Sequence, residues 1–424
     1  MNNPTTITLA CGMPLIVEPI AGVRSAGFCW LVPAGTSSEP EDRQGLGAVI
    51  SEWLFRGAGE LRSRQQADAL DRLGLSRGSE VTGYYLRFTA SMLGEKLHDA
   101  LPLLTDIILR PRFDPEHLEP ARDLALQALA GVQDNPQERA GLLLSNRYNP
   151  RPLHRAHYGT EAGLKALTRE DALAHWAQRA KPQGSILAIA GDVDPQRVAD
   201  RLNALLQGWS GSAPAPALTP APSVGTCFHE QDDTSSQVQI FVAHRAPAEA
   251  DADCQLERVV GAVLSGGSSC RLFTEVRERR GLCYSVSAAY SADRSFGRVT
   301  AYVGTTPEKA QESLDVLAAE LARINAPAGA GGGISAEEFQ RAIVRHKSGL
   351  VFSGESTSAR AGALAGDYHR LGRARSLNEL AGQIDQITLA KVNDYLARRD
   401  PGPLTIVTLG PRALNPPPGV VMAS

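Results

Sequence analysis

Ser-Ser-Cys-Arg-Leu-Phe-Thr-Glu-Val-Arg-Glu-Arg-Arg-Gly-Leu-Cys-Tyr-Ser-Val, residues 268–286, changes its hydrophobic period in the middle. Leu272 and Val276 share one face at i, i+4, the leading serines are of the kind that caps a helix, and Gly281 supplies a left-handed stop. Arg277 then falls in the last turn of a short helix. Beyond Gly281 the alternation is that of a strand, which puts Tyr284 near a strand start, seven residues from the arginine. A guanidinium and a phenol held at such a junction can both donate hydrogen bonds to one carbonyl oxygen. The plainer reading of the same spacing is a helix-end arginine favoured by the dipole, beside a half-buried tyrosine.

Outward from this stretch the chain follows one plan written twice. In the first half Ile7, Leu9, Gly12, Leu15 and Val17 read as a hairpin, and Phe28, Trp30 and Val32 continue the period of two. Gly45 to Phe55 has helical length, a second helical pattern surrounds Ala67, Leu70 and Leu73, and Tyr84, Leu86 and Phe88 return to a strand. Leu97, Leu101, Leu104 and Ile108 then recur with the spacing of an amphipathic helix. In the second half Val238, Ile240 and Val242 alternate as a strand. Gly261-Ala262-Val263 echoes Gly47-Ala48-Val49 at an offset of 214, and Ala310, Leu314, Leu317 and Leu321 echo the later helix at 213. Asp114-Pro115-Glu116 opens one helix, and the capping box Ser335 to Glu338 opens its counterpart. Leu167-Thr168 starts a helix before the strand Ile186 to Ala190, and Ile387-Thr388 does so before Leu404 to Leu409, 220 residues on. The order predicts two similar α+β domains of about 200 residues each. A proline-dense run, residues 211–222, separates them as an extended, semi-rigid linker. We divide the chain into residues 1–208, a linker 209–226 and residues 227–424. Gly329 to Gly333 reads as a loop between two helices.

A length of 424 residues gives a prior of two to three domains. The net charge of −3 argues against a nucleic-acid-binding face. No apolar run approaches the roughly 20 residues needed to span a membrane, and Met1-Asn2-Asn3-Pro4-Thr5 lacks the basic and apolar regions of a signal peptide, so none is expected in this chain. The six cysteines, Cys11, Cys29, Cys227, Cys254, Cys270 and Cys283, include no Cys-x-x-Cys pair and suggest neither a disulfide framework nor a thiolate metal site. Ser265-Gly266-Gly267-Ser268-Ser269 lacks the Gly-Lys-Ser/Thr ending of a phosphate loop and reads as a helix cap.

Cys11-Gly12-Met13, Gly45 to Gly57, the Pro-rich linker and above all Ser268 to Tyr284 give the chain a resemblance to the pitrilysin and insulinase family of zinc peptidases. Within that family it is similar to the small subfamily that includes mitochondrial processing peptidase. The resemblance implies two homologous αβ-roll domains, each a mostly antiparallel sheet covered by helices. It also implies an inverted His-x-x-Glu-His zinc helix followed by Leu-Phe-x-Gly. Here the run is Ala48-Val49-Ile50-Ser51-Glu52, followed by Trp53-Leu54-Phe55-Arg56-Gly57, so the tail matches and every functional position differs. The third ligand, a glutamate in the family, aligns by way of Asp134-Asn135-Pro136 onto Ala128. One carboxylate does not make a three-ligand zinc site.

No rescue is expected elsewhere. His154 and His157 lie in a loop beside Pro152 with no acidic third ligand near, and His98, His117 and His175 stand singly on predicted helices. The resemblance therefore implies no metal or cofactor in this chain, zinc in a homologous partner subunit, and a heterodimer acting on unfolded peptide. In it Arg277 would hold a peptide carbonyl and Tyr284 would stabilise the oxyanion. The alternative is a structural subunit like the core proteins of respiratory complexes. By resemblance the compartment is the periplasm; the missing signal sequence points instead to the cytoplasm.

Overall fold

Alternation at Phe28, Trp30 and Val32 continues through the whole of a central strand, and the computed structural model, which describes residues 3–327 and 331–423, builds a six-stranded sheet around it. The first half of the chain runs β1 (Thr5–Thr8), β2 (Pro14–Pro19), β3 (Ser25–Val32), α1 (Leu46–Trp53), the short ribbon β4 (Gly57–Ala58) and β5 (Leu61–Arg62), then α2 (Ser63–Arg72) and β6 (Ser76–Val81). It continues with β7 (Leu86–Leu93), α3 (Leu97–Leu109), α4 (Leu118–Gly131), α5 (Pro136–Tyr148), α6 (Glu161–Ala166), α7 (Arg169–Arg179), β8 (Ile186–Gly191) and α8 (Pro195–Leu205). The second half runs β9 (Thr226–Gln231), β10 (Val238–Ala246), α9 (Cys254–Ser265), a π-helical turn (Phe273–Glu278), β11 (Cys283–Ala292), β12 (Gly297–Thr305) and α10 (Ala310–Arg323). After these come α11 (Ala336–Glu355), α12 (Thr357–Leu371), α13 (Leu377–Asp385), α14 (Leu389–Arg398), β13 (Thr405–Gly410) and β14 (Val421–Met422). Of the stretch 329–333, residues 329 and 330 lie outside the described residues.

The two sheets share one topology. The first is ordered β1-β2-β8-β3-β7-β6 and the second, read from the other end, β14-β9-β13-β10-β12-β11. In each, one internal pair is parallel (β2 with β8, β9 with β13) and the strands from there to β6 or β11 are antiparallel; at the other edge β1 pairs β2 antiparallel, whereas β14 pairs β9 parallel. The duplicated α+β plan is what the repeat offsets predict, and the mostly antiparallel sheets are what the resemblance implies. Thr168 and Thr388, 220 apart, both cap their helices through the side chain.

Two compact units divide the chain, and they exchange segments. The first takes in the chain up to Gly131, Pro150–Thr219 and Phe352–Leu377; the second takes Val132–Asn149, Pro220–Val351 and the chain from Asn378 on. The division at residues 209–226 drawn from composition contains no such exchange. The proline-dense run is extended and, up to Thr219, bonded to the first unit, with Arg151 and Thr219 each donating its amide to the other's carbonyl.

Within the first unit, Phe28, Trp30 and Val32 face a core with Trp53, Leu101 and Leu202, while Ile16, Cys29, Leu31 and Ala188 on the opposite face are covered by Ala361, Leu364 and Ala365 of α12. Gly27 makes the contact possible, since a Cβ there would lie 2.3 Å from the Thr357 carbonyl carbon. Within the second unit, Ala243, Val407, Phe228 and Phe241 are covered by Leu143, Leu144 and Tyr148 of α5. The two covering helices are counterparts, because their capping residues Asn135 and Ser356 are 221 residues apart. So are Arg139 and Arg360, which pair with Glu230 on β9 and Glu18 on β2, themselves 212 apart.

Candidate functional site

Leu46, Val49, Ile50 and Trp53 fall at i, i+3, i+4 and i+7, which winds α1 and buries that face in the core. Its first turn is closed by Glu39, whose carboxylate accepts from the Gly45 and Gly47 amides at 2.9 and 2.8 Å. Burial pushes the Glu39 carboxyl up to about 7, against those two hydrogen bonds. The other face carries the positions where a zinc helix would present its ligands. Ala48 is half-buried with no lone pair to offer, and Ser51 is buried with its Oγ 2.7 Å from Ser79 Oγ on β6. Glu52 is exposed. Helix α4 packs against α1, and at Ala128 it presents an exposed methyl group. One carboxylate and no imidazole do not fit a zinc ion. Among the described residues no three His, Cys, Asp or Glu side chains are grouped so that they could hold a metal ion.

Arg277 and Tyr284 are brought together by two local irregularities. The first is the π-helical turn Phe273–Glu278, in which the Arg279 amide bonds the Thr274 carbonyl at 2.9 Å, one residue further back than in an α-helix. Leu272 and Val276 are fully buried beneath it, as their spacing predicts. At its start the backbone closes the turn, Cys270 N to Gly267 O and Thr274 N to Cys270 O, and among the described residues no serine side chain caps it. At its end Gly281 is left-handed (φ +58°), and its amide and that of Leu282 take the carbonyls of Arg277 and Val276. The second irregularity is a bulge: Cys283 pairs with Thr305 and Ser285 with Gly304, which leaves Tyr284 as the extra residue on the edge strand β11. The bulge turns Tyr284 outward to 82% exposure, so the half-buried tyrosine of the plainer reading is not what forms.

The Arg277 guanidinium lies 4.8 Å from the centre of the Tyr284 ring and 4.9 Å from that of Phe273. Glu275, two residues away, is held by Arg279 at 2.6 Å and Arg280 at 2.8 Å. Burial pulls against ionisation of Glu275, but its hydrogen bond to Arg280 and the charges of Arg279 and Arg280 hold its carboxyl below the usual range. Among the described residues Arg277 has no carboxylate partner, so its N–H donors stay available. Burial pushes the nearby Cys283 thiol up, with Arg277 pulling the other way. The pair was legible from spacing; Phe273 was passed over, although an aromatic four residues before an arginine shares its helix face.

The histidines take structural places. His157 stacks on Tyr158 at 4.0 Å in a turn region, and His98 and His117 are half-buried on their own helical segments. His175 is buried, 3.5 Å from Ser38 Oγ, and burial with the Arg179 charge lowers it to about 4. No helix among the described residues is long and apolar enough to cross a membrane.

Two family models match the chain in the same order as its halves. Residues 22–161 match the model described as insulinase (peptidase family M16), and residues 166–345 match the peptidase M16 inactive domain. An uncharacterized zinc protease of Mycobacterium leprae is 26% identical over 391 residues, which cover 91% of this chain and 87% of that protein. Among solved structures, a peptidase M16 inactive domain from Pseudomonas fluorescens superposes with a TM-score of 0.83 at 21% identity, covering 98% of this chain and all of that one. A chain of Complex III2 from Candida albicans superposes at 0.79 with 18% identity, covering 96% and 95%. A duplicated α+β plan thus meets two models of one family that reach into both halves, and the chain belongs to the insulinase family of peptidases, M16.

Proposed function

We propose that this chain is the zinc-less subunit of a heteromeric zinc metallopeptidase and completes its partner's active site with Arg277 and Tyr284. The observation that carries this reading is the combination of a zinc helix without ligands and an arginine-tyrosine pair in which the tyrosine is exposed and the arginine has no carboxylate partner among the described residues. A chain kept only for assembly has no use for an exposed phenol on a bulge beside an arginine without a carboxylate. Zinc belongs to the partner, whose own helix would carry the His-x-x-Glu-His residues absent here. This chain's share is hydrogen-bond donation: Tyr284 Oη to the carbonyl oxygen that gains charge, and the Arg277 guanidinium to a neighbouring peptide carbonyl. The substrate is an unfolded peptide, bound extended so that its backbone adds to a sheet edge such as β11.

The test is reconstitution. The chain alone should leave a quenched fluorescent peptide intact, and mixing it with a zinc-bearing homologue from the same cell should give a complex that cleaves it. A partner equally active without this chain would end the proposal. The second reading, a structural subunit without a catalytic role, draws support from the likeness to a chain of Complex III2. It requires that replacing Arg277 and Tyr284 leave the assembled complex fully active.

A further inference from the structure

We infer that Phe273 is a positioning residue for Arg277, holding its guanidinium against Tyr284 so that the N–H edge, and not the flat face, is presented to a ligand. The inference rests on the proposed role of Arg277 and extends it to a residue that need not touch substrate. An arginine side chain has four rotatable bonds, and near the surface nothing but its neighbours selects one rotamer. Here the neighbours are two rings, Phe273 at 4.9 Å and Tyr284 at 4.8 Å. Rings occupy a guanidinium's faces and leave its donors, which lie in the plane, unused.

The surrounding charges work in the same direction. Arg279 and Arg280 both engage Glu275, which keeps that carboxylate, two residues before Arg277, from drawing it into an ion pair. Phe273 and Arg277 both lie in the π-helical turn, four residues apart, so the turn that aims Arg277 also sets the ring beside it. Tyr284 cannot supply this restraint alone, because its ring stands on an exposed bulge and is itself held by the arginine.

The experiment compares Phe273→Leu with Phe273→Tyr, with Phe273→Met as a second ring-free variant should the leucine disturb the fold. The first readout is the Arg277 side-chain Nε–Hε NMR resonance of the single chain, assigned by its loss in Arg277→Lys. It should move when the ring is removed and return in Phe273→Tyr. The second readout is peptide cleavage by each variant in complex with a zinc-bearing partner. A cation–π contact of this kind corresponds to about a three- to tenfold effect, expected mainly as a rise in KM with kcat held within about twofold. An Arg277 resonance indifferent to the ring overturns the positioning role and leaves the proposed function standing. A resonance that moves while KM does not would instead sink the assignment of Arg277 to substrate binding, and the inference with it.

Discussion

Arg360 donates from Nε to Glu18 Oε2 at 2.8 Å across 342 residues of sequence, with both side chains at 3% exposure or less. Arg360 also reaches the Arg375 carbonyl, and Arg375 pairs with Asp367, so the covering helix of the first unit is fixed by a buried polar network. Its counterpart Arg139, paired with Glu230 and with Asp232 at 3.2 Å, is more open to solvent. Breaking the buried pair from one side strands a charge, and Arg360→Leu should cost about 3–5 kcal/mol. Arg139→Leu should cost about 1 kcal/mol or less. Urea unfolding of both variants measures the difference, and equal losses would contradict the weight given to burial.

The exchange of α5 and α12 makes each half incomplete. Residues 1–208 made alone would leave Ile16, Cys29, Leu31 and Ile186 uncovered and carry α5 without its sheet. They should show helical circular dichroism without a cooperative melt. Residues 209–424 supplied in the same cell should restore cooperativity. A sharp transition for the first half by itself would refute this.

Tyr284→Phe removes one donor and leaves the ring that Arg277 packs on. In complex with a zinc-bearing partner it should lower turnover by roughly 10² to 10³, about 3 to 4 kcal/mol. Gel filtration should show the complex intact. Arg277→Ala should raise KM as well as lower kcat, since it removes a donor to the substrate backbone and a packed side chain.

Purified and dialysed, the chain should hold no stoichiometric zinc by elemental analysis. Glu52→Ala should leave both this result and the activity of the reconstituted complex unchanged, because a single exposed carboxylate binds zinc weakly. Zinc at one equivalent, lost on Glu52→Ala, would show that a ligand set assembles around α1 after all.

Acid should destabilise the fold through His175 and His244, one in each unit. Burial and, respectively, the Arg179 and Arg399 charges lower both to about 4 from an ordinary 6.5. Above pH 6.5 both are neutral folded or unfolded, and their contribution is complete. As pH falls from 6.5 to 4 the unfolded chain takes up protons that the folded chain refuses, so stability declines, and below 4 the loss levels off. The most each can contribute is about 3 kcal/mol. His175→Gln and His244→Gln should each flatten the urea midpoint between pH 6.5 and 4.

Repeat spacing reached far into the fold because the core positions of α3 and α10, and the caps at Thr168 and Thr388, are fixed by local pattern. Strand β6, Ser-Arg-Gly-Ser-Glu-Val, went unread because an edge strand with partly exposed faces needs no apolar alternation. The exchange of α5 and α12 was not legible either, since an amphipathic helix specifies an apolar face to cover and not which sheet bears it. At the site, Arg277 and Tyr284 followed from spacing. The π-helical turn and the bulge did not, because each adds a single residue to a regular ladder and leaves the residue types unchanged.

The exchanged helices also carry a history. Identical elements traded at the same position in both halves are what remains when a domain-swapped dimer is joined end to end by a tether. The proline run between the halves is then the scar of that fusion. An ancestor in which one gene served both halves would have presented each element of the site twice over. Fusion freed each copy to keep only one. On the proposed function, the same division of labour falls one level up, between this chain and its zinc-bearing partner instead of between halves.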